Sequence, residues 1–261
     1  MKRILVVGGA NGIGLSIAKV LSAREATEKV YIVDKAPLST EYKDSKIESF
    51  QFDLNSFDYS IFDQFSDIDG LMITAGFGKL ELFEHIPESM IATYFNVNTV
   101  AVIRVIKHFY EKLLSQDDFY CGVMVSIAGF MSSPFFSIYG ATKAALKIFI
   151  ESVNVELEKA GSPNRILNVS PGSIKGTCFN QGQTDLSVTE PLTREIIKNL
   201  ETKNDLFIPN YDMIYKNVLE RYHADFRAEG RHSYDYKLRS GRVKIAPPSQ
   251  INNKRHYYCA A

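Results

Sequence analysis

A short apolar run, Ile4-Leu5-Val6-Val7, leads into a glycine-rich turn, Gly8-Gly9-Ala10-Asn11-Gly12-Ile13-Gly14. Apolar residues at helical spacing follow: Ile17, Ala18, Val20 and Leu21. The run has the pattern of a strand covered on both faces. A strand, a glycine turn and a helix start in series make a phosphate site. Backbone N–H groups and the helix dipole face the anion, and glycine lets it come close. A second strand, Lys29–Val33, ends in Asp34, twenty residues after Gly14. A carboxylate there accepts hydrogen bonds from both hydroxyls of an adenosine ribose. It also repels a 2′-phosphate, so NAD is expected over NADP, with Lys35 next door as the opposing charge. The alternative reading of Asp34 is a turn residue that ends a strand.

The alternation continues. The pattern predicts strands over Ile47–Phe52, ending in Asp53-Leu54, and over Gly70–Thr74, followed by Ala75-Gly76. A short helix is expected at Asp58–Phe65, and a long one from Pro87 to about Leu114 that contains Asn98. Val123–Val125 is a strand that stops at Ser126. A helix runs from near Ser137 to about Lys159, and Arg165–Val169 is a sixth strand broken by Ser170-Pro171-Gly172. Strands and helices in this order imply βαβ units, a parallel sheet and right-handed crossovers that cover both faces. Ligands of such sheets lie beyond the carboxyl ends of the strands. Gly8, Asp34, Asp53, Thr74, Ser126 and Ser170 therefore converge on one edge.

Tyr139 and Lys143 are four residues apart and share a helix face. The ammonium is expected to lower the phenol pKa, which suits Tyr139 to proton transfer near neutral pH. A Tyr-x-x-x-Lys pair alone is common on helix surfaces. What gives this one weight is Ser126, thirteen residues upstream at a strand end, together with the glycine turn.

These motifs resemble those of the short-chain dehydrogenase/reductase family over roughly residues 2–177. The turn is similar to that family's Gly-x-x-x-Gly-x-Gly, here Gly8, Gly12 and Gly14. Asp53-Leu54 resembles the pair that contacts adenine, and Ala75-Gly76 the end of an Asn-Asn-Ala-Gly motif. Asn98 resembles the helix asparagine, and Pro171-Gly172 the turn beside the nicotinamide. Ser126, Tyr139 and Lys143 resemble the active-site serine, tyrosine and lysine, with the family spacing. Val7 and Thr74 depart from the usual threonine and asparagine, and Thr177 is one residue late.

The resemblance implies an α/β fold, a doubly wound Rossmann-type parallel sheet. The chain is read as a single NAD-binding domain over 1–261 with a helical C-terminal extension from 178. It implies cofactor contacts at Gly8, Asn11, Gly12, Ile13, Gly14, Asp34, Asp53, Leu54, Ala75, Gly76, Tyr139, Lys143, Pro171, Gly172 and Ile174. It also implies hydride exchange between nicotinamide and a secondary alcohol or ketone. Tyr139 then transfers the proton, Ser126 holds the substrate oxygen, Lys143 holds the ribose and lowers the tyrosine pKa, and Asn98 fixes a relay water. A homodimer or homotetramer is implied, through the helices near 88–114 and 138–159.

The resemblance implies a small-molecule alcohol or carbonyl substrate, and composition calls for no other partner. Lys+Arg and Asp+Glu are both 30 in 261 residues, so nothing global calls for nucleic acid. No apolar run approaches the ~18 residues of a membrane span, and the one after Met1-Lys2-Arg3 stops at Gly8, too soon for a signal peptide. Cys121, Cys178 and Cys259 are odd in number and widely spaced, which argues against disulfides and a metal site and for a cytoplasmic setting.

Substrate identity is expected in residues 178–261. Cys178–Asp185 has the composition of a loop over the site, and Pro191–Leu200 reads as a helix; together they form a lid or an ordinary surface excursion. Tyr211 to about Arg227 reads as a further amphipathic helix. Lys237 to the end, with six Lys/Arg and no Asp/Glu, reads as a solvated tail, a subunit contact or a pocket wall for an anionic substrate. Two competing functions stay open: an NADP-dependent carbonyl reductase, and a non-catalytic NAD(H)-binding regulator.

Overall fold

The computed structural model describes residues 1–177, 179 and 182–243. Cys178, Cys259 and the basic stretch beyond 243 lie outside the described residues. Among those described, the elements are β1 (Arg3–Val7), α1 (Gly12–Ser22), β2 (Lys29–Asp34), β3 (Ile47–Gln51), β4 (Gly70–Ile73), α2 (Glu88–Phe95), α3 (Ala101–His108), α4 (Tyr110–Leu114), β5 (Tyr120–Met124), α5 (Ser137–Lys159), β6 (Ile166–Val169), α6 (Leu186–Glu201), β7 (Leu206–Phe207), α7 (Lys216–Ala224) and α8 (Phe226–Arg239). The strands form one parallel sheet in the order β3-β2-β1-β4-β5-β6-β7. The chain winds outward from β1 to β3, then returns to β4 beside β1. That reversal opens the crevice where ligands of this architecture sit.

Alternation along β1 shows why both faces are covered. Leu5 and Val7 join a core with Val102, Val105, Leu146 and Ile150 from α3 and α5. Ile4 and Val6 point the other way, to Ile17 and Leu21 of α1 and Ile196, Ile197 and Leu200 of α6. Each fully buried side chain of this kind contributes about 1.5–3 kcal/mol. The doubly wound Rossmann-type sheet of the sequence analysis is the observed fold.

Four expectations about individual elements change. The region Asp58–Phe65 is a 3-10 turn over Ser60–Phe65. α6 starts five residues before Pro191, because the Asp185 carboxylate accepts the Ser187 and Val188 N–H groups. It is a core layer packed on α1, not a lid. The single helix expected from Tyr211 to Arg227 is interrupted at Asp225, whose carboxylate accepts from Arg227 and Ala228 and starts α8. The described part of the supposed solvated tail is helical to Arg239, with Lys237 buried.

The stretch Glu88–His108 is 21 residues long, with a mean hydropathy of 1.3. By length and composition it is apolar enough to cross a membrane, contrary to the sequence expectation. Here its Val102, Val105 and Ile106 are buried in the core against the sheet.

Candidate active site

The carboxyl edge gathers the predicted residues in two groups, one around the glycine turn and one around Tyr139. In the first, Gly8 has φ +90° and Gly12 φ +54°, a region that L side chains avoid. A Cβ on Gly14 would lie 2.1 Å from the Gly8 carbonyl oxygen and 2.4 Å from Thr74 Oγ1. The turn thus folds only with glycine, and Thr74 holds it by donating to the Gly8 carbonyl at 2.8 Å. The Asn11 side chain does not cap α1. Gly12 N–H donates to Thr184 Oγ1 at 3.0 Å. A helix start lined by glycine, left open by its own N-cap side chain, fits a phosphate.

Asp34 closes this group. Its carboxylate accepts Ala10 N–H and Ala36 N–H, each at 2.9 Å. Lys35 turns away and pairs with Asp53 at 2.8 Å, which holds the Asp53 carboxyl below its usual range. Leu54 packs against the larger core, as does Ala75. Ile13 and Ile174 pack against the other core. Pro171 accepts Ile127 N–H through its carbonyl at 3.0 Å. Gly172 lies under the Tyr215 hydroxyl, so close that a Cβ there would overlap it.

The second group is built on α5. Gly129 lies against it, where a Cβ would come within 2.8 Å of the Lys143 backbone. This close approach brings Ser126 to the helix. Ser126 Oγ accepts Ala128 N–H at 3.1 Å and lies close enough to the Tyr139 phenol to favour its ionised form. Lys143 Nζ donates to the Met124 carbonyl at the end of β5, at 2.9 Å. Asn98 lies in a π-helical turn, Asn96–Val100, between α2 and α3. Its side chain is fully buried and engages the Phe77 backbone in both directions, accepting from N–H at 2.9 Å and donating to the carbonyl at 2.8 Å. It also donates to Thr142 Oγ1 at 3.3 Å, tying the strand-end loop to α5. π turns of this kind are frequent at functional sites. Gly76 leaves room here: a Cβ on it would lie 3.2 Å from Asn98 Oδ1 and 3.4 Å from Lys143 Nζ.

Burial acts in opposite directions on the two catalytic candidates. It pushes the Tyr139 phenol up to about 12, with Ser126 opposing. It pushes the Lys143 ammonium down to about 8. In each case the charged form is the one desolvation penalises. The lowered phenol pKa expected from the sequence is therefore reversed. Lys143 Nζ sits 5.7 Å from the Tyr139 ring centroid and points at Met124, and desolvation sets the direction.

Sequence reasoning missed several residues that shape this edge. Phe136 and Phe179 stand 5.0 Å and 5.3 Å from the Tyr139 ring. Phe136 adjoins the tyrosine motif and was within reach of a local reading. Phe179, Thr184 and Tyr215 reach the site from far along the chain, and no local pattern marks them.

A sequence model of the short chain dehydrogenase family matches residues 2–186. The chain belongs to the short-chain dehydrogenase/reductase family: it is an oxidoreductase with an NAD(P)-binding Rossmann fold. It is 29% identical over 221 residues to sorbitol-6-phosphate 2-dehydrogenase of Klebsiella pneumoniae, covering 77% of this chain and 80% of that one. It is 24% identical over 275 residues to an uncharacterized oxidoreductase of Saccharomyces cerevisiae, covering 96% and 86%. In fold it resembles a short chain dehydrogenase from Burkholderia cenocepacia in complex with NADP, with a TM-score of 0.72, 18% identity and coverage of 89% and 99%.

Lys143 generates a stability prediction with a defined sign. Its folded value of about 8 lies below the ordinary 10.5. The penalty of burying the charge is thus complete below pH 8 and relaxes as pH rises from 8 to 10.5, amounting to about 3 kcal/mol at neutral pH before the Met124 hydrogen bond is counted. Denaturant unfolding of Lys143→Met is expected to show a variant at least as stable as the wild type at pH 7. Its advantage shrinks at pH 9.5.

Proposed function

We propose that the chain transfers a hydride between NAD(H) and a secondary alcohol or ketone, with Tyr139 as proton donor and acceptor. The observation that carries this is the burial of Ser126, Tyr139 and Lys143 together at the end of β5, on the same strand edge as the glycine turn. The nicotinamide, when bound, supplies or accepts the hydride. Every other task falls to side chains of this protein. A phenol with a pKa near 12 is protonated at neutral pH. It is ready to protonate a carbonyl oxygen, which makes reduction the direction that needs no prior ionisation. Ser126 adds a second hydrogen bond to the oxygen on which charge develops. Lys143, close to neutrality, passes protons readily, and Asn98 keeps the Phe77 loop from closing over it. Its side-chain contacts with the Phe77 backbone and Thr142 add a positioning task to the water-relay role implied for Asn98.

We read Asp34 as favouring NAD: a carboxylate at the end of β2, held by Ala10 and Ala36 N–H, would repel a 2′-phosphate. Lys35 is paired with Asp53 and withdrawn from that spot. Structural relatives carrying NADP or NADPH keep the NADP-dependent reductase as the second reading. We also read residues 1–261 as a single domain, since α8 docks on the loop before α5. A dimer or tetramer is supported by apolar side chains exposed on the long helices: Phe95, Val100, Ile148 and Val155. Sedimentation of the purified chain checks this. The buried free thiol of Cys121 accords with a reducing, cytoplasmic setting.

Tyr139→Phe is expected to lower turnover about 10²- to 10⁴-fold, the range of a lost general acid, with NADH affinity nearly unchanged. Steady-state assays over a panel of ketones, sugars and hydroxy acids, paired with NADH titrations, check it. Wild-type turnover in the variant would remove Tyr139 from the mechanism.

For the cofactor, NADH is expected to bind at least about tenfold more tightly than NADPH, equivalent to about 1.4 kcal/mol. Asp34→Asn narrows that ratio by removing the repulsion. Tighter NADPH binding by the wild type would overturn the role given to Asp34.

A further inference from the structure

The connection from residue 131 to 136 joins the Ser126 turn to the start of α5, three residues before Tyr139. Its conformation is unusual. Phe135 is a buried, bulky residue with φ +69°, in the left-handed region such residues avoid. A surrounding structure must over-determine such a residue for it to persist. Part of the restraint is local: Phe135 accepts Glu81 N–H through its carbonyl at 2.9 Å. The rest comes from α8, about a hundred residues further along the chain. The Tyr234 ring stacks on Phe135 with centroids 4.5 Å apart and planes inclined by 27°. Lys237 Nζ donates to Ser133 Oγ and to the Pro134 carbonyl, both at 2.7 Å. The same ammonium lies 5.7 Å from the centroid of Phe136, and Phe136 lies 5.0 Å from the Tyr139 ring.

We propose that α8 is a brace for Tyr139, with Lys237 as a positioning residue that fixes the 131–136 connection and, through Phe136, the orientation of the phenol. Lys237 is 7% exposed and forms no ion pair among the described residues. Its burial pushes the ammonium down to about 8, Arg242 adding to the effect. An apolar residue would fill the same volume without that desolvation penalty. What an apolar residue lacks is the two directed hydrogen bonds, and those fall on the two residues immediately before Phe135. Misplacing a proton donor by about 1 Å costs on the order of 10²-fold in rate, so a small slackening of this connection has a large effect.

The inference rests on the proton-transfer role given to Tyr139, and its test separates the two. Lys237→Met, Ser133→Ala, the double variant and Arg239→Gln, an exposed control on the same helix, are compared with wild type. Amide hydrogen exchange read by mass spectrometry is expected to quicken across 131–138 in Lys237→Met and Ser133→Ala and to stay unchanged in the control. kcat is expected to fall about tenfold or more in Lys237→Met, with KM and NADH affinity little changed and the solvent deuterium effect on kcat enlarged. The double variant is expected to be no worse than Lys237→Met alone, since Ser133→Ala removes only a contact that Lys237→Met has already removed. A destabilised fold by itself would lower the melting temperature without that kcat-against-KM split. Unchanged exchange across 131–138, or faster exchange with wild-type kcat, overturns the brace. A wild type that binds NADH and reduces nothing sinks the proposed function instead; the exchange comparison then decides the brace by itself.

Discussion

The buried ammonium of Lys143 is the constraint on which the rest of the site depends. A cation taken out of water needs a fixed partner and a close-fitting wall. The Met124 carbonyl supplies the first, because β5 ends there, two residues before Ser126. The wall requires α5 to press against the 126–129 turn, and only glycine at 129 allows that approach. The same pressing buries Tyr139 and brings it close to Ser126. One packing event thus sets the lysine, the tyrosine and the serine. It moves both titrating groups toward neutrality, in opposite directions, for the same reason.

The two halves of the edge are linked through backbone rather than through side-chain charge. Thr74 holds the glycine turn by the Gly8 carbonyl. Three residues later the Asn98 amide holds Phe77 in both directions, and its other bond ties that loop to Thr142, adjacent to Lys143. The loop after β4 is therefore pinned at both ends. It is the physical bridge between the glycine turn at the start of α1 and Tyr139 and Lys143 on α5. The π turn at Asn96–Val100 gives Asn98 its inward direction without breaking the run from α2 into α3.

Much of this was legible in the sequence, for identifiable reasons. Central parallel strands are buried on both faces, so Ile4–Val7 and Gly70–Ile73 read as unbroken apolar runs. The glycine turn is dictated by local sterics, and Tyr139 and Lys143 share a helix face whatever surrounds them. What failed depended on tertiary context. β7 is two residues long and pairs only because β6 is there. The caps at Asp185 and Asp225 were present as residues but were not read as caps, so α6 began too late and α7 ran too far. Lys237 looked like one more charge in a basic tail, and only the fold puts it against Ser133. The direction of the Tyr139 pKa failed for the same reason, since the spacing to Lys143 was visible and the depth of burial was not.

The central claim is that this edge moves a hydride and a proton together at one carbon. The most direct test is label transfer. NADH carrying deuterium at C4, prepared separately as each of the two epimers, is offered with the carbonyl panel, and the alcohols formed are examined by mass spectrometry. One epimer is predicted to deliver its deuterium to the carbinol carbon and the other to deliver none. NADH that binds, with neither epimer labelling any product, would contradict the account.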